Sequence, residues 1–323
     1  MKPALEVRDL NVWFEMDDGP VVHAVRDLTF SLEAGERFGL AGESGCGKTT
    51  TINALMGLLP ANAVVAGSII FDGQDILRVG EASIAPHRWV DLSIVFQGAM
   101  NSFNPVLTVG SQIEEAILAH RPSTEASRRE RTTDLLELVG IPISRRNAYP
   151  HELSGGMRQR AALAMALACE PGILLADEPT TALDAMVQAQ ILELLVRLAN
   201  DMALAVILVT HDLGAMARVC TRAAVMYAGE IIECGPLDDL FHQPRHPYTR
   251  LLFEATPDIE GRGPLAWIPG SPPRLDVALA GCPFRPRCPS AFGPCPTHHP
   301  ELISVGDQHR AACHLNGFPG AAT

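Results

Sequence analysis

The feature that most constrains this 323-residue chain is a glycine-rich loop, GESGCGKT, at residues 42–49. A short apolar run at residues 37–41 precedes the loop, and a helical pattern begins at about Lys48, so the loop joins a strand to a helix. Its glycines allow backbone N–H groups to turn toward phosphate oxygens, and the positive end of the following helix faces the same anion. This context favours a nucleotide phosphate site over an ordinary glycine-rich turn.

Two side chains of this phosphate loop have predicted roles in nucleotide binding. The Lys48 ammonium is expected to reach the β- and γ-phosphates, and the Thr49 hydroxyl is expected to bind Mg²⁺. Apart from Lys2, Lys48 is the only lysine in the sequence. The predicted phosphate-binding residues are Gly42, Glu43, Ser44, Gly45, Cys46, Gly47, Lys48, Thr49 and Thr50.

An acidic pair follows a second apolar strand, which is predicted at residues 173–176. Asp177 comes directly after this strand and can bind Mg²⁺, either directly or through water. The adjacent Glu178 can orient and deprotonate a water for attack on the γ-phosphate. Acidic residues also cap helices at such positions, and the phosphate loop upstream favours the magnesium and catalytic roles.

A further anion-binding helix end is predicted in the segment LSGGMRQ, residues 153–159. Ser154, Gly155 and Gly156 open a helix there, which exposes backbone N–H groups at its positive end. One chain has no use for two phosphate-binding helix ends unless the second one serves another nucleotide.

The phosphate loop, the acidic strand end and LSGGMRQ occur in one order that resembles the ABC ATPase family. The resemblance implies a P-loop NTPase of the α/β class, with an antiparallel β subdomain and a helical subdomain. In that family the signature segment of one subunit completes the ATP site of its partner, so a second ATPase subunit, ATP and Mg²⁺ are implied. Met157 stands where glutamine is commoner in the signature.

The same resemblance assigns roles to residues whose local patterns are weak by themselves. Gln97 resembles the residue that contacts Mg²⁺ or water and reports nucleotide state, and His211 resembles the switch histidine. Asp184 matches the D-loop, in which Thr181 replaces the usual serine. Phe14 matches the aromatic residue that stacks on adenine, although core packing remains open for it because Trp13 is adjacent. The implied catalytic residues are thus Glu178, His211 and Gln97, and the magnesium ligands are Thr49, Gln97 and Asp177.

Alternating strand and helix patterns predict a nucleotide-binding domain over residues 1–235, with a helical subdomain at about 100–168. Prolines are frequent after Gly235, so residues 236–323 are predicted to be a C-terminal extension that begins with an irregular linker. The net charge of −12 argues against a nucleic-acid partner. Since the start lacks a signal-peptide core and no run approaches the ~20 apolar residues of a spanning helix, cytosolic, reduced thiols are expected.

The segment HQPRHPYTR at residues 242–250 resembles the His-Pro-Tyr motif that follows the cassette in oligopeptide, dipeptide and nickel importer ATPases. The resemblance implies uptake of peptides through two separate permease subunits fed by an extracytoplasmic substrate-binding protein. It also implies a heterodimer of ATPase subunits, peripheral at the cytoplasmic face of the membrane. Import of nickel or another small solute, and non-transport work in iron–sulfur assembly, are the alternatives.

Four of the eight cysteines lie close together in the extension, with the spacing C-x5-C-x6-C-x17-C. Paired zinc knuckles would show C-x2-C twice, so a [4Fe–4S] cluster, with its variable spacings, is the first prediction. The peptide-importer ATPases that the chain resembles include members with such a cluster at this place. Structural zinc, with histidines 298, 299, 309 or 314 as additional ligands, and free thiols remain open, as does a redox-sensing role. The cysteines concerned are Cys282, Cys288, Cys295 and Cys313.

Overall fold

Two β-sheets organise the chain in a computed structural model that describes residues 3–17, 19–77, 81–98, 102–255, 267–277 and 279–317. The strands are β1 (Leu5–Phe14), β2 (Val22–Leu32), β3 (Arg37–Ala41), β4 (Ala63–Phe71), β5 (Gln74–Asp75), β6 (Leu92–Val95), β7 (Ile173–Asp177), β8 (Ala205–Val209), β9 (Arg222–Tyr227), β10 (Glu230–Pro236), β11 (Ile303–Gly306) and β12 (His309–Ala311). The helices are α1 (Lys48–Leu55), α2 (Glu81–Ile84), α3 (Val109–His120), α4 (Glu125–Leu138), α5 (Gly155–Ala166), α6 (Ala185–Asp201), α7 (Leu213–Val219), α8 (Leu237–His242) and α9 (Pro247–Glu254).

The larger sheet has the order β11-β12-β10-β9-β3-β8-β7-β6, and its strands from β9 to β6 run parallel. Parallel strands buried on both faces need apolar side chains on both faces. In β7, Leu174 and Ala176 point into a core shared with the helices, whereas Ile173 and Leu175 point into a second core. This explains why the strand reads as a continuous apolar run rather than an alternating one.

The smaller sheet is antiparallel, has the order β2-β1-β4-β5, and contributes to the second core. The inward residues of β1 are fully buried, and their spacing changes from two to three between Val7 and Leu10. A bulge accounts for this change, since the register of β1 against β2 shifts between these residues. The structure confirms the predicted α/β fold with an antiparallel part.

The predicted helical subdomain, at about residues 100–168, contains α3, α4 and α5. Side-chain oxygens accept hydrogen bonds from backbone N–H groups at the start of each helix, from Thr108, Thr124 and Ser154 respectively. No helix in the described ranges is long and apolar enough to cross a bilayer.

The prediction of an irregular linker after Gly235 was wrong in part, because α8 and α9 follow β10 directly. Pro247 does not break α9, since it occupies the first turn, where the missing N–H has no intrahelical partner. The extension also adds β12 and β11 to the larger sheet, with Glu233 of β10 opposite Ala311. Prolines 257 and 264 of the predicted linker lie outside the described residues.

A buried carboxylate joins the extension to the larger sheet. Glu233 is fully buried, and it accepts hydrogen bonds from the backbone N–H groups of Arg245 (2.6 Å) and His246 (2.9 Å). Its Oε1 also lies 2.7 Å from Nε2 of His309 in β12. Both carboxylate oxygens are therefore used to fasten two separate segments of the extension.

Replacing Glu233 with glutamine is expected to destabilise the protein, because the amide NH₂ group would face a donor where an acceptor is required. We expect the free energy of unfolding to fall by about 2 kcal/mol, measured by urea denaturation. The control is Glu301→Gln, an exposed position in the same extension, where the change should stay within about 0.5 kcal/mol. Equal effects of the two substitutions would contradict the fastening role of Glu233.

Candidate active site

The residues with predicted catalytic roles lie at one edge of the larger sheet. The phosphate loop follows β3, Glu178 follows β7, His211 follows β8 and Gln97 follows β6. These four strands are parallel neighbours in the order β3-β8-β7-β6, so their carboxyl ends lie side by side. Crevices at this end of parallel strands are the usual ligand sites of α/β sheets.

The backbone of the phosphate loop has a shape that only glycine allows at two positions. Gly42 and Gly47 have φ values of 145° and 107°, in the left-handed region. A Cβ atom on Gly42 would lie 2.4 Å from the carbonyl oxygen of Met226, and one on Gly47 would lie 2.6 Å from that of Ala24. The loop is therefore packed closely against the backbone of two other segments of the same chain, at Ala24 and Met226.

The Lys48 ammonium is held inside the phosphate loop. Its side chain is buried, and Nζ donates to the carbonyl oxygens of Gly42 (2.7 Å) and Glu43 (2.9 Å). Ser44, Gly45 and Thr49 are exposed, Thr50 is half-buried and Cys46 is buried. The loop thus presents a fixed positive charge together with an accessible surface.

Asp177 and Thr49 fit the predicted magnesium site. The Thr49 hydroxyl lies near the Asp177 carboxylate and favours its charged form. Asp177 is buried, and its Oδ1 atom has no hydrogen-bond partner among the described residues. Burial raises the pKa of Asp177, and the neighbouring Thr49 hydroxyl acts in the opposite direction. An orphaned carboxylate oxygen beside a threonine hydroxyl matches the oxygen ligands that Mg²⁺ requires.

Glu178 is the centre of a cluster that contains the other predicted catalytic residues. Gln97 Nε2 and Thr181 Oγ1 donate to its Oε2 atom at 2.8 and 2.9 Å, and His211 Nδ1 lies 3.0 Å from Oε1. The Glu178 backbone is left-handed, with a φ of 47°. Such strain in a residue other than glycine persists where the surrounding structure imposes it, often at functional sites.

The same contacts control the protonation of Glu178. Burial is the largest influence and disfavours the charged form, but hydrogen bonds from His211 and Thr181 and the nearby Lys48 charge outweigh it. The pKa of Glu178 is consequently lowered, and the carboxylate is ionised at neutral pH. An ionised carboxylate can accept a hydrogen bond from water and orient it.

The signature residues lie at the start of α5, against α6. Ser154 accepts a hydrogen bond from the Met157 N–H at 3.3 Å, and a Cβ atom on Gly156 would lie 2.6 Å from Cγ1 of Val187 in α6. Across the described part of the chain, no hydrogen bond joins Ser154, Gly155 or Gly156 to the phosphate loop or to Glu178. The structure thus brings Gln97, Thr181 and His211 together on Glu178 but leaves the signature elsewhere in the same chain.

Asp184 and Phe14, which are predicted to contact the nucleotide, make contacts within the chain itself. Asp184 Oδ1 accepts hydrogen bonds from the N–H groups of Met186 and Val187, at 3.1 and 3.0 Å, and so caps α6. Phe14 ends β1, is half-buried and packs against the core of the smaller sheet. The nucleotide contacts of both residues stay predictions.

Sequence reasoning missed two residues that contact the phosphate loop from the extension. The Tyr248 hydroxyl accepts a hydrogen bond from the Glu43 N–H at 2.9 Å. Arg287 forms two hydrogen bonds with the Glu43 carboxylate, at 2.6 and 2.9 Å. Tyr248 lies in the His-Pro-Tyr segment, but a separation of more than 200 residues from Glu43 leaves no local signal of either contact.

The four cysteines of the extension line one small cavity of about 10 Å³. Burial raises the pKa of Cys282 to about 11 and that of Cys313 to about 12. Within the described ranges, however, no group of three or more His, Cys, Asp and Glu residues is arranged to hold a metal ion. The geometry thus brings the four cysteines to one cavity without a metal-binding arrangement, and it does not confirm the predicted [4Fe–4S] cluster. Two candidate zinc ligands have other partners, since His309 contacts Glu233 and His299 contacts Glu230 at 2.8 Å.

The chain is similar to members of two known families. Residues 25–181 match the family described as ABC transporter, and residues 232–295 match the one described as oligopeptide/dipeptide transporter, C-terminal region. The dipeptide transport ATP-binding protein DppD of Bacillus subtilis is 45% identical over 98% of this chain and 95% of its own. The oligopeptide transport ATP-binding protein OppD of Salmonella typhimurium is 46% identical over 96% of this chain and 92% of its own.

The solved structures agree at the level of the cassette. A dimeric structure of the ATP-binding cassette MJ0796, in a post-hydrolysis state bound to ADP and Pi, is 28% identical with a TM-score of 0.64. The match covers 72% of this chain and 98% of that one. With a phosphate loop, an orphaned acidic oxygen beside Thr49 and a clustered Glu178, the chain belongs to the ABC transporter ATPases, in the group with the oligopeptide/dipeptide transporter C-terminal region.

Proposed function

We propose that this chain hydrolyses ATP to drive the import of dipeptides or oligopeptides through separate permease subunits. The observation that carries ATP hydrolysis is the cluster of Gln97, Thr181 and His211 around Glu178, next to the phosphate loop. The peptide substrate is supported by relatives, named for dipeptide and oligopeptide transport, that align over nearly the whole chain. A nickel or other small-solute substrate becomes an outcome of the test below.

In the proposed mechanism, the phosphate loop binds the triphosphate, and the Lys48 ammonium, which has three N–H donors, keeps its bond to the Gly42 carbonyl while it donates to phosphate oxygens. Thr49, Asp177 and Gln97 would hold Mg²⁺, which neutralises phosphate charge when bound. Phe14 would stack on the adenine ring. These residues bind and orient the nucleotide.

Glu178 is proposed to orient and deprotonate the attacking water. His211 and Thr181 keep its carboxylate ionised and fix its direction, since they contact different oxygens. Gln97 contacts the same carboxylate and lies between β6 and the helical subdomain. It is therefore well placed to transmit the state of the nucleotide toward that subdomain and the permeases.

A second ATPase subunit is proposed to complete the site. Ser154, Gly155, Gly156 and Asp184 of one subunit would face the nucleotide held by the other, and a heterodimer is the proposed assembly. The dimeric structure of a related cassette, bound to ADP and Pi, supports a dimer of ATPase subunits. We place the complex at the cytoplasmic face of the membrane, with two permease subunits and an extracytoplasmic substrate-binding protein.

We also propose that residues 1–235 form the nucleotide-binding domain, with the helical subdomain at about 100–168, and that residues 236–323 form the extension. The four cysteines of the extension are proposed to hold a [4Fe–4S] cluster as a structural staple. The support for it is that all four line one cavity. Such a staple would suit a segment with little apolar core of its own.

Replacing Glu178 with glutamine is expected to lower kcat for ATP by roughly 10²- to 10⁴-fold, the usual contribution of a general base. ATP binding should persist, because the phosphate loop and Asp177 are unchanged, and closed dimers should accumulate with ATP. The measurements are steady-state ATP hydrolysis and size-exclusion chromatography with ATP. Glu193→Gln on the exposed face of α6 is the matched control; an equal, unimpaired rate in both variants would refute the base assignment.

The transport proposal predicts that two permeases and a second ATPase co-purify with this chain when it is affinity-tagged and purified from membranes. In proteoliposomes loaded with ATP, a peptide with its binding protein should stimulate hydrolysis several-fold over the peptide-free rate. If Ni²⁺ but not peptides stimulated ATP hydrolysis, the transported substrate would be nickel instead of a peptide. Recovery without any permease would contradict the importer assignment.

The cluster proposal predicts equimolar iron and sulfide in the full chain after anaerobic purification. Cys313→Ser should lose both, whereas Cys220→Ser, which lies outside the cavity, should keep them. Zinc in place of iron, or metal-free thiols that all react with a thiol reagent after unfolding, would reject the cluster.

A further inference from the structure

We propose that Tyr248 and Arg287 of the C-terminal extension are positioning residues of the ATP site. They contact the main chain and the side chain of Glu43, the second residue of the phosphate loop. Through these contacts the extension holds the loop in the conformation that presents Lys48 to the phosphates.

The contact of Tyr248 acts on one peptide unit of the loop. The N–H of Glu43 donates to the Tyr248 hydroxyl at 2.9 Å, and the carbonyl of Gly42, in the same peptide unit, accepts from Lys48 Nζ at 2.7 Å. In a trans peptide these two groups point in opposite directions. Fixing the N–H against Tyr248 therefore aims the carbonyl at Lys48, so the hydroxyl acts on the ammonium through the backbone.

Arg287 fixes the side chain of the same residue. Its guanidinium, 4% exposed, places Nη1 2.6 Å from Oε2 and Nη2 2.9 Å from Oε1 of Glu43. Its Nε donates to the carbonyl of Pro269 at 2.8 Å. This paired geometry is directional as well as electrostatic, so it restricts rotation of Glu43 more than a single charge would.

Both residues are themselves held by packing rather than lying on a free loop. The Tyr248 ring is fully buried and packs on Tyr227 and Phe284, with ring centroids 4.7 and 5.3 Å apart. The Tyr248 N–H donates to His246 Nδ1 at 3.0 Å, and the His246 N–H donates to the buried Glu233 of β10. A connected set of contacts thus runs from the larger sheet, through the extension, to the phosphate loop.

A preorganised loop binds its ligand with less loss of conformational entropy than a mobile one. Releasing Glu43 should therefore weaken the binding of ATP while leaving the Glu178 cluster, and hence the rate at saturation, nearly unchanged. This split between KM and kcat distinguishes positioning of the loop from a role in the chemical step.

The first test is Tyr248→Phe, which removes the hydroxyl but keeps the buried ring. The Kd of the full chain for MgATP and the KM of the assembled transporter should each rise about 3- to 10-fold, the range for one lost hydrogen bond. The kcat should stay within about 2-fold, because a uniform loss of ground-state and transition-state binding leaves it unchanged. Tyr149→Phe, which removes a hydroxyl from a residue that is 40% exposed, is the matched control and should change neither value.

The second test is a double-mutant cycle of Arg287→Gln and Glu43→Gln, with Arg285→Gln as an exposed control in the same turn. Each single change should raise the Kd for MgATP, and the double variant should be no worse than the worse single one, because both remove one interaction. All variants are assayed well below their unfolding temperatures. Additive effects, an unchanged Kd in Tyr248→Phe, or a lower melting temperature with unchanged Kd would each overturn the proposal.

Discussion

Parallel pairing of β3, β8, β7 and β6 is the constraint on which the rest of the site depends. Pairing of these strands brings together four regions that are far apart in the sequence. They are the phosphate loop, Gln97, Glu178 and His211. The pairing is stable because alternate residues enter two different cores, one with the helices and one with the smaller sheet. The catalytic edge is polar only where the strands end. The same parallel pairing therefore buries the strands and places the polar residues that follow them at one edge of the sheet.

Each charged side chain of the site is controlled by the polar groups placed around it. Lys48 is held by carbonyl dipoles, Asp177 is buried with one oxygen unsatisfied, and Glu178 is surrounded by donors. The two neighbouring carboxylates consequently respond in opposite ways, since burial raises the pKa of Asp177 whereas donors lower that of Glu178. This difference suits a cation ligand and a water-orienting base, respectively.

The extension is integrated with the cassette by polar contacts as well as by a strand. Glu233 fastens two of its segments to β10, and Tyr248 and Arg287 connect it to the phosphate loop. An extension that contacts the nucleotide loop from its outer side can affect ATP binding without contacting ATP. Prolines in this region made it look irregular in the sequence, but Pro247 starts α9 because the first helical turn needs no N–H at that position.

Much of the fold and of the candidate site follows from the sequence alone. The apolar runs, the helix caps and the phosphate loop are local patterns, and local patterns determine backbone conformation. The loop's need for glycine and the position of Glu178 at a strand end belong to this class. The contacts of Glu43 do not, because Tyr248 and Arg287 are more than 200 residues away. Only tertiary packing decides which tyrosine hydroxyl accepts from the Glu43 N–H and which arginine donates to its carboxylate, since the sequence offers three tyrosines and many arginines with the same chemistry.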